Sequence, residues 1–134
     1  VVMFVADHGH RLPRHTVIRE KERFRIPFLI TGGAVRRDSV IHTLSGQTDI
    51  ANTLLGQLGH PSGDFRFSKN ILSKDARPFA AYFFNDGYGF LTPEAYIIYD
   101  NTSNQLLRKT GADEKEIEMS KSYQQILYSD YNRR

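Results

Sequence analysis

The sequence predicts an α/β protein built in two parts. Its 134 residues are 40% hydrophobic and 25% charged, a balance typical of a globular protein. Residues 1 to about 60 combine short, continuous apolar runs with an amphipathic helix, a pattern typical of parallel α/β structure. From about residue 75 to 134, strand-like runs alternate with turn residues and end in a helix, so we expect an antiparallel sheet there.

Two apolar runs in the first part are predicted to be strands. Residues 1–6 are continuously apolar and rich in β-branched and aromatic side chains, which indicates a buried strand of a parallel sheet. Residues 25–31 form a second such run, which Gly32 and Gly33 close. Because Pro27 has no N–H to donate, we place it near the start of that strand or on its edge.

A helix is predicted from about Thr48 to Leu58. Apolar residues recur on one face at helical spacing, namely Ile50, Ala51, Leu54, Leu55 and Leu58. Thr48 or Ser45 can cap its start, and Gly59 can supply a left-handed end.

The second part is predicted to contain strands joined by hairpin turns. The strand-like runs cover residues 77–85, 90–100 and 105–109. The turns between them are Asn85-Asp86-Gly87 and Asn101-Thr102-Ser103-Asn104, which have typical hairpin-loop chemistry. A final helix from Ala112 to about Tyr131 has acidic residues in its first turns and arginines past its end. Its apolar face is expected to contain Met119, Tyr123, Ile126 and Leu127.

Composition excludes several classes of function. The chain has no cysteine, so disulfides and thiolate metal sites are excluded. The net charge of +3 is scattered along the chain, and no aromatic-basic motif accompanies it, so we expect no nucleic-acid partner. No apolar run approaches the ~18 residues that span a bilayer. Because Val1 lies inside an apolar run and no initiator Met is present, we expect any membrane or targeting segment upstream.

Asp7 and His8 follow the first predicted strand directly. A carboxylate oxygen and an imidazole nitrogen are ligands that Mn²⁺, Zn²⁺ or Mg²⁺ accept. Adjacent residues reach one ion only where the backbone turns sharply, and we expect Gly9 to permit such a turn. On the dipeptide alone, an Asp that caps a loop beside a solvent-facing His is the favoured interpretation.

His10 and His15 add two imidazoles to this polar segment. With Arg11 and Arg14 they form a cluster that could hold a sulfate or phosphate group, and a basic surface loop explains them equally well. The sequence contains no Gly-x-Ser-x-Gly elbow, phosphate-binding glycine loop or Cys nucleophile. The residues alone therefore support an α/β fragment with a metal half-site.

The order of three motifs resembles the sulfatase family of the alkaline phosphatase superfamily. The motifs are Val5-Ala6-Asp7-His8-Gly9, the strand of residues 25–33 and the helix of residues 47–59. Members of that family show a strand ending in Ser-Asp-His-Gly, an I/V-P-F/L-I/L-I strand and a Q-V-D-L-x-P-T-L-L-x-L-x-G helix. The resemblance covers residues 1 to about 60 and fades by about residue 72. Asn52 stands where the family usually has Pro.

The resemblance implies a fold and a domain division. Residues 1–72 are expected to form the C-terminal part of an alkaline-phosphatase-like α/β/α sandwich, the catalytic domain. Residues 73–134 are expected to form a small antiparallel sheet with a C-terminal helix. Within them, residues 82–90 and 95–100 resemble the lipoteichoic acid synthase branch, whose members are phosphoglycerol transferases.

The resemblance also implies a mechanism for the whole enzyme. Asp7 and His8 match metal ligands of the family, with Mn²⁺ expected and Zn²⁺, Ca²⁺ or Mg²⁺ as alternatives. The nucleophile would lie upstream, so no catalytic residue is assigned here, and His10 and His15 would contact the substrate. A metal-activated alkoxide would attack a phosphate ester and form a covalent intermediate. We expect this fragment to be inactive alone.

Substrate and location follow from the same resemblance. The expected substrate is a phosphate or sulfate ester, such as a glycerophospholipid or a glycan, at the extracytoplasmic face of the cell membrane. A sulfatase and a non-catalytic binding module remain as alternatives to the transferase.

Overall fold

The computed structural model describes residues 1–10, 17–33, 35–61 and 63–134. It contains two compact units, Val1–His42 and Thr43–Arg134. The helix of the predicted first part lies in the second unit, and the domain division after residue 72 stays a prediction.

The first unit is built on a two-stranded sheet. Strand β1 is Val2–Val5 and strand β2 is Phe28–Thr31. They pair antiparallel, with Val2 opposite Thr31 and Val5 opposite Phe28. A short 3₁₀ turn, Lys21–Arg23, lies between them in the chain.

The expectation that residues 1–6 form a buried strand of a parallel sheet was wrong for the described structure. Among the described strands, β1 pairs with the antiparallel β2 alone, and Phe4 is 59% exposed. An apolar run predicts a strand, but the direction of pairing depends on which distant segment meets it. No residue of the first unit is buried among residues 1–10, 17–33 and 35–42, so these residues form no hydrophobic core of their own.

Helix α1, Ile50–Leu58, begins the regular structure of the second unit. A 3₁₀ turn, Gln47–Asp49, leads into it, and Gly59 ends it in the left-handed conformation with φ 68°. The predicted helix and its glycine end are therefore confirmed.

Residues 65–71 run along α1 and hydrogen-bond to it. The backbone N–H of Asn52 donates to Ser68 Oγ at 2.9 Å, and its side-chain amide donates to Ser68 O at 2.6 Å. Ile71 N–H donates to Thr53 Oγ1 at 3.2 Å. A proline at position 52 could not donate the first of these bonds, so the structure gives Asn52 a role of its own.

The second unit contains a four-stranded antiparallel sheet in the order β3-β4-β5-β6. Its strands are Ala80–Phe84, Gly87–Leu91, Tyr96–Asp100 and Gln105–Thr110. The antiparallel sheet and both predicted hairpin turns are confirmed. The single strand predicted over residues 90–100 is instead the end of β4, a turn and β5. Thr92 N–H donates to Ala95 O in that turn, and Pro93 within it has no N–H for a ladder.

Helix α2, Glu114–Arg133, ends the chain. Asp113 caps it, since its Oδ1 accepts from Glu116 N–H at 3.0 Å while Glu116 Oε2 accepts from Asp113 N–H at 2.8 Å. The final helix was therefore predicted correctly. No helix among the described residues is long and apolar enough to cross a membrane.

The core of the second unit lies between the sheet and α2. It contains Tyr88, Phe90, Ala95, Ile97, Tyr99 and Ala112. Ile117 and Tyr123 pack against it from α2, whereas Met119 and Ile126 are 41% and 56% exposed. The predicted apolar face was thus partly wrong. The small Ser120 lies buried at the contact and hydrogen-bonds to the Tyr88 hydroxyl at 3.2 Å.

Candidate metal half-site

Asp7 and His8 lie immediately after β1 and point their side chains into solvent. Their side chains are 88% and 74% exposed. Asp7 Oδ1 accepts a hydrogen bond from the backbone N–H of His8 at 2.9 Å. This bond holds the carboxylate against the turn, and Oδ2 is the oxygen that faces the imidazole.

The two predicted ligand atoms lie close together. His8 Nε2 is 3.7 Å from Asp7 Oδ2. Two donor atoms bound to one tetrahedral ion at ordinary bond lengths lie roughly 3.3 Å apart. The pair therefore needs only a small side-chain adjustment to share one divalent ion, and the donor set suits such a metal.

The other imidazole nitrogen of His8 is held by the backbone. Nδ1 lies 2.9 Å from Gly9 O. A carbonyl oxygen can only accept, so Nδ1 carries the hydrogen and neutral His8 presents the lone pair of Nε2. A ligating histidine commonly has its second nitrogen bonded in this way. Asp7 Oδ2 lies 3.7 Å from Nε2, so both atoms could reach one cation.

Gly9 lies very close to the backbone of the segment that precedes β2. The described glycines with positive φ are Gly32, Gly59 and Gly111, so Gly9 does not use the left-handed region. Instead it packs against backbone. A Cβ at position 9 would overlap the Arg23 carbonyl oxygen and would lie 2.7 Å from the carbonyl carbon. Only glycine fits this close approach.

The remaining predicted site residues are not assembled with this pair by the described structure. His10 is exposed, and His15 lies outside the described residues, as do Arg11 and Arg14. Across residues 1–10, 17–33, 35–61 and 63–134, no group of three or more His, Cys, Asp or Glu side chains could hold a metal ion. Two ligands are therefore present here, and further ligands would have to come from other residues.

The second unit contains two clefts that were not predicted from the sequence. Their volumes are about 350 and 260 Å³, and Lys69 and Phe79 line both. The Lys69 ammonium donates to Asp49 Oδ2 at 2.6 Å and to Phe79 O at 2.9 Å. Because these protein acceptors already engage its ammonium group, Lys69 is not a vacant charge for a ligand in either cleft.

Two comparisons with known proteins gave a match. Residues 1–60 match the sulfatase family model, the extent over which the resemblance was predicted. Comparison with curated proteins gave no match.

A solved structure, described as a protein in the alkaline phosphatase superfamily from Vibrio parahaemolyticus, has a similar fold. Its TM-score is 0.63 at 23% sequence identity, over 94% of this chain and 35% of that chain. The likeness confirms the expected fold class, a mixed α/β protein with antiparallel sheet and a C-terminal helix. The chain spans about a third of the length of that neighbour.

Proposed function

We propose that this chain is the C-terminal part of a metal-dependent phosphoglycerol transferase of the lipoteichoic acid synthase type, within the sulfatase family. The observation that carries the proposal is the 3.7 Å approach of His8 Nε2 to Asp7 Oδ2, in the segment that matches the family model. The enzyme would act on phosphate esters through a covalent intermediate, with its nucleophile on sequence outside these 134 residues.

The residues have distinct roles in this proposal. Asp7 and His8 hold one divalent ion, which the family resemblance suggests is Mn²⁺, with Zn²⁺, Ca²⁺ or Mg²⁺ as alternatives. A carboxylate and an imidazole together can bind any of them. When bound, the ion would lower the pKa of the nucleophile and neutralise charge on the transferred group. His10 and His15 contact the ester oxygens. The substrate is a glycerophospholipid or a glycan at the extracytoplasmic face of the membrane.

Metal content and transfer activity of the complete protein test this proposal. Asp7→Ala and His8→Ala should each lower Mn²⁺ affinity and abolish phosphoglycerol transfer from a glycerophospholipid to an acceptor. Asp38→Ala, which removes an exposed carboxylate of the same unit, is the matched control and should change neither property. Unchanged activity in Asp7→Ala would instead identify a non-catalytic binding module.

The isolated chain provides a second test. Two exposed ligands cannot complete a coordination sphere, so residues 1–134 should bind Mn²⁺ only weakly in calorimetry. Tight, stoichiometric binding of Mn²⁺ or Zn²⁺ by the isolated chain would contradict the half-site.

Sulfate-ester hydrolysis is the second candidate function. It is favoured by the family model that residues 1–60 match, which is described as sulfatase. Paired assays of the complete protein on aryl sulfates and on glycerophospholipids separate the two functions. The upstream sequence gives an independent test, since Cys-x-Pro-x-Arg would indicate a sulfatase and a metal-linked Thr would indicate the transferase.

A further inference from the structure

We infer that Gly9 is a positioning residue that fixes the Asp7–His8 pair through the backbone of Arg23. The inference rests on the proposed metal role and identifies what holds the two ligands in place. It adds a residue whose importance does not depend on any contact with metal or substrate.

The carbonyl oxygen of Gly9 orients the His8 imidazole. The imidazole is largely exposed, so the surrounding protein does not pack around it to fix its rotamer. Its direct described restraint is the bond from Nδ1 to Gly9 O at 2.9 Å. The position of the Gly9 carbonyl therefore determines both the direction and the tautomer of Nε2, the nitrogen that faces Asp7.

Gly9 packs against the backbone of Arg23. The missing side chain of Gly9 leaves room for the carbonyl of Arg23, and the Arg25 carbonyl oxygen would lie 3.2 Å from a Cβ at position 9. Both neighbours are backbone atoms just before β2, so neither can swing aside as a flexible side chain could. A methyl group at position 9 would push the turn away from this segment.

Nearby hydrogen bonds hold that segment. Arg23 N–H donates to Glu20 O, and Phe24 N–H donates to Lys21 O, each at 3.0 Å. Ala6 N–H donates to Pro27 O at 3.5 Å beside the β1–β2 ladder. Displacing Gly9 should therefore move the Gly9 carbonyl and His8 together, while the ladder of β1 and β2 stays paired.

Mn²⁺ affinity of the complete protein tests the inference. Gly9→Ala should weaken Mn²⁺ binding about 10- to 100-fold, the usual effect of disturbing a partner of a metal ligand. Gly33→Ala is the matched control, because no described residue other than its chain neighbours comes within 4 Å of the added Cβ, and it should leave affinity unchanged. Arg23→Ala keeps the carbonyl and should likewise not weaken binding.

The metal role of Asp7 and His8 and the positioning role of Gly9 can be tested separately. If Asp7→Ala abolishes Mn²⁺ binding but Gly9→Ala binds like the unaltered protein, the positioning role of Gly9 is overturned and the metal role stands. If neither substitution changes affinity, the metal role is overturned and the positioning role with it. Excess Mn²⁺ should restore transfer activity to Gly9→Ala, since its ligands remain; failure of that rescue would count against positioning.

A measurement on the unaltered protein covers the case in which Gly9→Ala does not fold. Nitrogen-15 NMR of neutral, metal-free His8 should show the hydrogen on Nδ1, the tautomer that the Gly9 carbonyl requires. A predominantly Nε2-protonated ring would overturn the inference. In a folded Gly9→Ala protein, the Nδ1-protonated population should fall, a change that loss of stability alone would not produce.

Discussion

The ammonium nitrogen of Lys69 lies 2.6 Å from Asp49 Oδ2, with the two side chains only 15% and 5% exposed. Lys69 also lies over the Phe79 ring, 4.4 Å from its centroid. The other carboxylate oxygen accepts from Lys69 N–H at 2.9 Å, and Gly46 N–H donates to Oδ2 at 2.9 Å. One buried ion pair therefore joins the start of α1 to the segment that leads into β3.

Breaking this ion pair should destabilise the chain strongly. Asp49→Ala leaves the Lys69 cation buried without its partner, so the free energy of unfolding should fall by about 3–5 kcal/mol. Asp75→Ala removes an exposed carboxylate and should change it by less than about 0.5 kcal/mol. Urea unfolding followed by circular dichroism measures both. Equal midpoints for the two variants would show that the pair contributes nothing.

The elements that depend on local pattern were predicted from the sequence. The left-handed Gly59, the Asn85-Asp86 turn and the turn after Asp100 are each specified within a few residues. The pairing of β1 was not predicted, because strand direction depends on residues more than twenty positions away. The Asp49–Lys69 ion pair was not predicted for a similar reason, since no sequence periodicity connects two residues that are distant in the chain.

In the candidate site, too, the features set by neighbouring residues were predictable, whereas a contact between distant segments was not. Asp7 and His8 are neighbours in the chain, so residue chemistry was enough to select them. The link from His8 Nδ1 to Gly9 O is equally local, although only coordinates reveal which nitrogen it engages. The approach of Gly9 to Arg23 joins two segments through backbone atoms, which carry no signature in side-chain identity.

Gly89 should be intolerant of even a methyl group. It lies opposite Tyr82 in the β3–β4 ladder, and a Cβ there would overlap the Tyr82 ring. That ring is fixed by the bond between the Tyr82 and Tyr96 hydroxyls at 2.9 Å. Gly89→Ala should therefore lower the free energy of unfolding by about 1–3 kcal/mol in urea titrations.

A double-mutant cycle checks the cause of the Gly89 effect. In a Tyr82→Ala background the added methyl group has space, so Gly89→Ala should lower the free energy of unfolding by less than it does in the unaltered protein. The interaction free energy between the two substitutions should be about 0.5–3 kcal/mol. Gly63→Ala is the control, since its added Cβ would have no described neighbour within 4 Å apart from the adjacent residues of the chain. Additive costs for Gly89→Ala and Tyr82→Ala would contradict the proposed overlap.

Stability should decline in strongly alkaline solution because of two tyrosines in the second unit. Burial raises the pKa of Tyr88 above 10.0, against a smaller opposing effect of the Ser120 hydrogen bond, and burial also raises the pKa of Tyr123. The unfolded chain then releases these protons first, so the stabilisation is complete below about pH 10 and is lost as pH rises through the folded-state pKa values.

Urea unfolding at several pH values between about 8 and 11 measures this decline. Tyr88→Phe combined with Tyr123→Phe should flatten the dependence of unfolding free energy on pH above about 10. Tyr128→Phe, at a side chain that is 49% exposed, should leave the slope as it is. An identical slope in all three proteins would exclude the two tyrosines as its source.

The two units should differ in local stability. Every residue of β5 is buried, whereas the first unit has no buried residue among those described, and Leu29 on β2 is 57% exposed. A two-stranded sheet without a covered face is marginal in water. Amide exchange in β1 and β2 should therefore proceed by local opening, and in β5 only by opening of the second unit.

Hydrogen exchange followed by NMR tests this difference on the 134-residue chain. Ladder amides of β5 should be protected roughly 1000-fold more than those of β1, after correction for intrinsic rates. Phe4→Ser should leave β5 protection unchanged, because Phe4 is 59% exposed and belongs to the other unit. Ile97→Ala, which removes a fully buried side chain, should lower it. Similar protection of β1 and β5 would mean that the first unit is stabilised by contacts beyond its own sheet.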